Sequence, residues 1–201
     1  MSDEVGQAAS KLFLKRLRVL LVESNSLELD ILERIMVGFR TQAVHKCRTA
    51  EEALEHLRLD QVDLLIVDAV LPEMDGYDLV CAIRRLKREA VRTAPIILIS
   101  GHTQARNVLR ARDCGASFVL AKPVTPRVLF DRVDWLARDR RPFINAEAYI
   151  GPDRRFRNLG PPPGGAGRRQ SDLPTETGDA TMPSTVQTEM DALSSPEGVP
   201  G

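Results

Sequence analysis

Five short apolar runs alternate with longer stretches of helical period between residues 17 and 139. The runs are Arg18 to Val22, Ala43 to Cys47, Val62 to Val67, Ile96 to Ser100, and Ser117 to Ala121. The Val, Ile and Leu content of most of these runs predicts strands covered on both faces, the condition of a parallel sheet, with Ala43 to Cys47 the weaker run. The intervening segments predict helices. Leu27, Ile31, Ile35 and Met36 mark the core face of the first, Ala53, Leu54 and Leu57 that of the second, and Leu79, Ile83 and Leu86 that of the third. Thr49 with Glu52 three residues on has the spacing of a capping box. The fourth, Thr103 to Asp113, is stopped by Cys114-Gly115; the fifth opens at Thr125 with Pro126 in its first turn and carries Leu129, Val133 and Leu136.

Strand and helix thus alternate along one domain of about 120 residues, enough to fold alone. The fold class predicted is α/β, a (βα)5 doubly wound five-stranded parallel sheet whose crossovers are right-handed. Residues 1–16 form an N-terminal extension. Residues 140–201 are rich in Pro, Gly, Ser and Thr and poor in large apolar residues, which predicts a mostly disordered tail. Within it, Arg141-Pro142-Phe143-Ile144 and Tyr149-Ile150 are the places where the chain has side chains to fold back with. Gly151 to Arg155 and Gly165 to Arg169 share a loose Gly-x-x-Arg-Arg form, too few copies for a solenoid.

The carboxyl edge of such a sheet is where open α/β folds do their chemistry. Asp68 ends the central run and is followed at once by Leu71-Pro72-Glu73-Met74-Asp75-Gly76, a turn sequence. Glu23 and Ser24 follow the first strand, Ser100 ends the fourth, and Lys122, followed by Pro123, ends the fifth. Each has an ordinary explanation alone, as a cap, a turn residue or a surface cation. Together they place polar groups at one end of four strands. Glu73 and Asp75 are read as solvated loop acids.

The composition narrows the function further. The formal net charge is zero, so no overall field draws the chain to nucleic acid or an anionic membrane. Arg154, Arg155, Arg157, Arg168 and Arg169 form a local basic stretch, but the acidic segment after it opposes DNA binding. Cys47, Cys81 and Cys114 fit reduced thiols better than a disulfide framework. With no metal-ligand spacing, no basic start to a signal peptide and no apolar run of spanning length, a cytoplasmic protein is expected.

The segment Asp68 to Gly76, the strand Ile96 to Ser100 and the pair Lys122-Pro123 resemble the receiver domain of bacterial two-component response regulators over about residues 17–139. The resemblance implies the flavodoxin-like strand order 2-1-3-4-5 and a signalling module in place of an enzyme. It implies that Asp68 accepts a phosphoryl group from a histidine kinase or histidine phosphotransfer protein, with Ser100 and Lys122 contacting the phosphoryl oxygens. It also implies a magnesium ion held by Glu23, Asp68 and the backbone carbonyl of Val70, with Ser24 as a further candidate. Val70 and His102 stand where the family tunes hydrolysis of the phosphoryl group.

Two positions depart from the family pattern. The usual second acid is Ser24, so one negative charge is missing and weaker magnesium binding is expected. The switch aromatic three residues before the lysine is Val119; Phe118, one residue earlier, points to the other face. Output is expected through protein contacts, with no helix-turn-helix pattern in the chain. The family's fourth-helix, fifth-strand and fifth-helix face, here with Arg106, Arg110, Arg127 and Trp135, is the candidate surface for a downstream protein or a homodimer. The leading reading is a single-domain response regulator. The alternative is a phosphorylation-independent pseudo-receiver that serves as a binding scaffold.

Overall fold

The computed structural model describes residues 14–101 and 105–154, with the side chains of residues 105, 106 and 108 outside that description. Five strands, β1 (Arg18–Val22), β2 (Ala43–Cys47), β3 (Leu64–Asp68), β4 (Ile96–Ser100) and β5 (Phe118–Ala121), form one sheet in the order β2-β1-β3-β4-β5. All four pairings are parallel. The doubly wound sheet and its order are therefore as expected. The helices between the strands are α1 (Ser26–Gly38), α2 (Ala50–Leu59), α3 (Gly76–Arg84), α4 (Glu89–Thr93), α5 (Ala105–Cys114) and α6 (Pro126–Arg138). The short α4, in the connection to β4, has no counterpart in the periodicity.

Strand alternation divides the core in two. Leu20, Val22, Leu65, Val67 and Leu98 face α2, α3 and α5, where Ala53, Leu57, Leu79, Ile83 and Ala111 cover them. Val19, Leu21, Leu64, Ile66, Ile97 and Ile99 face α1 and α6, under Leu29, Leu32, Met36, Leu129 and Val133. Every residue of β3 and β4 is buried.

The core face of α1 differs from the predicted one. Leu27 and Ile31 are 69% and 47% exposed, and the buried set is Leu29, Leu32, Ile35 and Met36. This helix carries two overlapping apolar stripes that share Ile35 and Met36. Spacing alone does not choose between them; the position of β1 and β3 does.

Capping follows the sequence closely. The Asn25 side chain accepts from the Leu27 and Glu28 amides, Thr49 from Glu52, Asp75 from Tyr77 and Thr125 from Val128. Glu73 is exposed in its loop, as expected, and it also accepts the Ala50 amide at 3.0 Å and so adds a second cap to α2. Asp75 likewise has structural work as the cap of α3.

The folded chain extends past the expected limit at residue 139. β6 (Phe143–Ala146) and β7 (Tyr149–Pro152) form an antiparallel hairpin that packs against α3 and α5. Beneath it lies Arg84, 1% exposed. Its guanidinium donates to the carbonyls of Gly115 (2.9 Å), Arg92 (2.6 Å) and Ala94 (2.7 Å) and reaches Ser117 Oγ. Phe143 lies over it, 5.5 Å from ring centroid to guanidinium carbon. Burial lowers the Arg84 pKa to about 10, which leaves it charged at neutral pH.

Tyr149 closes the hairpin by donating to the Pro152 carbonyl at 2.6 Å, and Arg141 ties the approach to it by donating to the Ser117 carbonyl at 3.1 Å. Gly115, at φ +93°, is required here: a Cβ would lie 2.3 Å from the Ile150 carbonyl oxygen. The hairpin lacks the helical or strand period of the core, so composition alone assigned it to the tail. The remainder of that tail, and its arginines beyond Arg154, lie outside the described residues, as does the N-terminal extension up to residue 13.

At the amino edge of the sheet, Arg18 and Asp63 set the β1/β3 register. Arg18 donates its backbone amide (2.9 Å), Nε (2.8 Å) and Nη2 (2.8 Å) to the Asp63 carboxylate. The Arg18 hydrogen bond holds the Asp63 pKa below the usual carboxylate range, against the opposing effect of burial. A depressed folded-state pKa stabilises the fold above the unfolded value of roughly 4 and ceases to do so as pH falls through the folded one. Asp63→Asn is expected to lower the urea midpoint at pH 7 while flattening its decline between about pH 5 and 2, checked by denaturation across that range.

Candidate functional site

At the carboxyl edge, alternation and register bring four elements to one point. Val22 is the last residue of β1, and the next side chain, Glu23, turns into the edge with 2% exposure. Asp68 ends β3 and Ser100 ends β4, both buried. Lys122 follows β5, its amide bonded to the Ser100 carbonyl at 2.9 Å, and the Lys122-Pro123 peptide is cis. The four polar positions predicted to converge do share this edge.

The Lys122 ammonium holds the arrangement together. Nζ donates to Glu23 Oε2 at 2.9 Å and to Asp68 Oδ2 at 3.1 Å. It also donates to Glu28 Oε2. Burial alone would lower the Lys122 pKa, but the hydrogen bonds to Glu28, Glu23 and Asp68 together outweigh it and raise the value above the ordinary lysine range. Glu23 is shifted upward chiefly by burial. The Asn25 amide, which donates to its Oε1 at 2.9 Å, and Lys122 both act against that shift.

The oxygens of Glu23 and Asp68 converge on one cation, here an ammonium. Two buried carboxylates beside a backbone turn form a hard oxygen donor set of the kind that suits magnesium, which commonly takes one or two carboxylates and fills its remaining positions with phosphate and water. Val70, two residues past Asp68, has a side chain 63% exposed that brings no polar group to the edge. Ser24 contributes its carbonyl to Arg48 Nη2 at 3.1 Å. Asp30, the other nearby acid, is held with Glu33 by Lys46.

Glu28 is therefore a site residue that the spacing did not identify. It lies five residues beyond Glu23, on the first turn of α1. Its signal is visible only once Asn25 is known to be the cap, because the cap fixes which face of that turn looks toward β5.

The loop beneath the carboxylates depends on Gly76. Its amide donates to the Ala69 carbonyl at 3.0 Å, and a Cβ there would lie 2.0 Å from the Asp68 carbonyl oxygen and 2.9 Å from Ala69 Cα. These are backbone atoms, so relief requires moving the strand end that carries Asp68.

The switch position is rebuilt. Val119 packs on the α2, α3 and α5 side, whereas Phe118 packs on the other, 5.7 Å from Trp135. Phe118 thus does not replace the missing aromatic, as alternation predicts. Tyr77, on the first turn of α3, is buried and shares a hydrogen bond with Ser100. Arg110 of α5 lies 4.4 Å over the Tyr77 ring and bonds Asp75 at 2.8 Å.

The expected output face is partly engaged within the chain. Arg110 is drawn to α3, and Trp135 is half-buried with Arg141 4.9 Å over its ring. Arg127 is exposed and pairs with Asp131 one turn away. The side chain of Arg106, on α5, and all of His102 lie outside the described residues. Among the described residues no helix is long and apolar enough to cross a membrane.

Comparison with known proteins accords with this geometry. The family profile for the response regulator receiver domain matches residues 19–134. The sensory/regulatory protein RpfC of Xanthomonas campestris is 26% identical over 129 residues, which are 63% of this chain and 17% of RpfC. The response regulator SaeR of Staphylococcus aureus is 28% identical over 109 residues, 53% of this chain and 46% of SaeR. The chain thus spans less than half the length of either relative. The crystal structure of a signal receiver domain of a signal transduction histidine kinase from Syntrophus aciditrophicus is 31% identical. It covers 65% of this chain and 98% of its own, with a TM-score of 0.56.

Gly76→Ala is expected to destabilise the fold by about 3 kcal/mol with an unchanged urea slope. Equilibrium denaturation checks it.

Proposed function

The chain belongs to the response regulator receiver domain family, and from that premise we propose that it accepts a phosphoryl group on Asp68 and signals through protein contacts. The observation that carries this reading is the Lys122 ammonium, 2.9 Å from Glu23 and 3.1 Å from Asp68 at a buried sheet edge. Groups so costly to bury are hard to explain in a scaffold that never uses them.

The donor is a phosphohistidine of a histidine kinase or histidine phosphotransfer protein. A carboxylate oxygen of Asp68 attacks phosphorus, an O–P bond forms as the P–N bond breaks, and the histidine nitrogen leaves with the electron pair. Exposed Leu27 and Ile31, one turn apart on α1 beside the site, suit the apolar face of a helical donor.

Glu23, Asp68 and the Val70 carbonyl would hold magnesium, whose charge offsets the negative charge of nucleophile and phosphoryl group. Lys122 supplies the second cation. It already spans from β5 to Asp68, so only a small adjustment brings it onto a phosphoryl oxygen. Gly76 leaves room for the loop to approach, and Val70 presents no polar atom to orient an attacking water.

The readout runs through Tyr77. A hydroxyl that turns toward the new phosphoryl group must give up its bond to Tyr77, and the Tyr77 ring carries Arg110 of α5. Loss of one hydrogen bond thereby reaches the helix next to the output face. A homodimer or a downstream protein using α5 and α6 would sense that change.

Incubation with magnesium and acetyl phosphate is expected to add the mass of one phosphoryl group, absent in Asp68→Asn. A wild-type chain that gains no mass, with acetyl phosphate or with phosphorylated histidine donors, overturns phosphoacceptance and leaves the pseudo-receiver reading that Val119 favours. Tyr77→Phe is expected to label as fully as wild type while losing most of the phosphorylation-dependent change in amide exchange over residues 105–114.

A further inference from the structure

We infer that Glu28 is a positioning residue for Lys122 and supplies the negative charge that Ser24 does not. The inference rests on the phosphoacceptor reading above and assigns a role to a residue outside that reading.

Three observations bear on it. First, Lys122 Nζ donates to Glu28 as well as to Glu23 and Asp68. Three carboxylates around one ammonium leave two negative charges in the pocket, the complement of a divalent cation. Without Glu28 a single net charge would remain.

Second, Glu28 is held in place by the same turn that holds Glu23. The Asn25 amide donates to Glu23 Oε1 while the Asn25 side chain accepts the Leu27 and Glu28 amides. Glu23 and the start of α1 therefore form one hydrogen-bonded unit, and the two acids approach Lys122 from fixed directions. Asp30 and Glu33 are committed elsewhere, to Lys46.

Third, the partners differ in exposure. The Glu23 side chain is 2% exposed and that of Glu28 is 41%. Glu28 stands at the rim, where water replaces a lost partner at little cost. It can hold Lys122 across the pocket before the reaction and release it when phosphoryl oxygens arrive. Glu23, fully enclosed, has no such freedom.

The positioning role separates from a merely structural one in the magnesium dependence. The full chain is labelled with acetyl phosphate over a magnesium series, and magnesium binding is followed without phosphodonor by amide chemical shifts. Glu28→Gln is expected to raise the half-saturating magnesium concentration roughly tenfold in both measurements, the effect of removing one negative charge at the rim of the pocket. The thermal midpoint stays close to wild type. Adding Ser24→Asp to Glu28→Gln is expected to return half-saturation to within about twofold of wild type, because it places the charge at the position the family uses.

Half-saturation unchanged in Glu28→Gln overturns the inference. So does a shift that Ser24→Asp fails to reverse, since Glu28 would then act by something other than its charge. A wild-type chain that is not labelled on Asp68 overturns phosphoacceptance instead, and the shift measurements made without phosphodonor still decide the role of Glu28 in magnesium binding.

Discussion

One ammonium group organises the functional end of this molecule. Lys122 reaches from the end of β5 to carboxylates on β3, after β1 and on α1, and no two of the four are close in sequence except Glu23 and Glu28. Burial would depress a lone lysine's pKa, and burial of two lone carboxylates beside each other would favour protonation of one. Brought together, the carboxylates raise the Lys122 pKa against burial, and the ammonium works against the burial shift of Glu23. That mutual dependence suits a site in which charge must change. On the proposed reading, a phosphoryl group on Asp68 would alter the balance for Lys122 and Glu28 at once.

The opposite end has its own buried cation. Arg84 is satisfied by three main-chain carbonyls from two separate segments and roofed by the β6-β7 hairpin. A guanidinium suits this place because its fork of donors matches several fixed acceptors at once. The consequence is mechanical. The carboxyl end of α5 is held by Gly115, Ile150 and the Arg154-Asp113 pair, while nearer its start Arg110 rests on Tyr77. The helix is fastened at the end far from Asp68 and, nearer its middle, is tied to α3 through Tyr77.

Much of this was legible in the sequence for physical reasons. Buried parallel strands are largely apolar, so four of the runs stood out, and the weaker edge strand β2 was located by the alternation around it. Caps announce themselves by residue type, as at Thr49 and Thr125. Asp68, Ser100 and Lys122 each close an apolar run, and a polar residue at the end of a buried strand is a local signal. The face of α1 was not legible, since Leu27, Ile31 and Ile35 satisfy helical spacing as well as Leu29, Leu32 and Ile35 do. The hairpin was missed because its stability comes from Arg84 and Gly115 below it, not from any period of its own.

The sequence by itself determined the strand-helix alternation and the edge that gathers Asp68, Ser100 and Lys122, because each is written in short-range pattern. It also determined that the usual second acid and the usual switch aromatic are absent. Only the tertiary structure decided that Glu28 stands beside Lys122 and Tyr77 beside Ser100. Both approach from helices whose rotation about their own axes is set by packing against the sheet, a long-range constraint that no local spacing encodes.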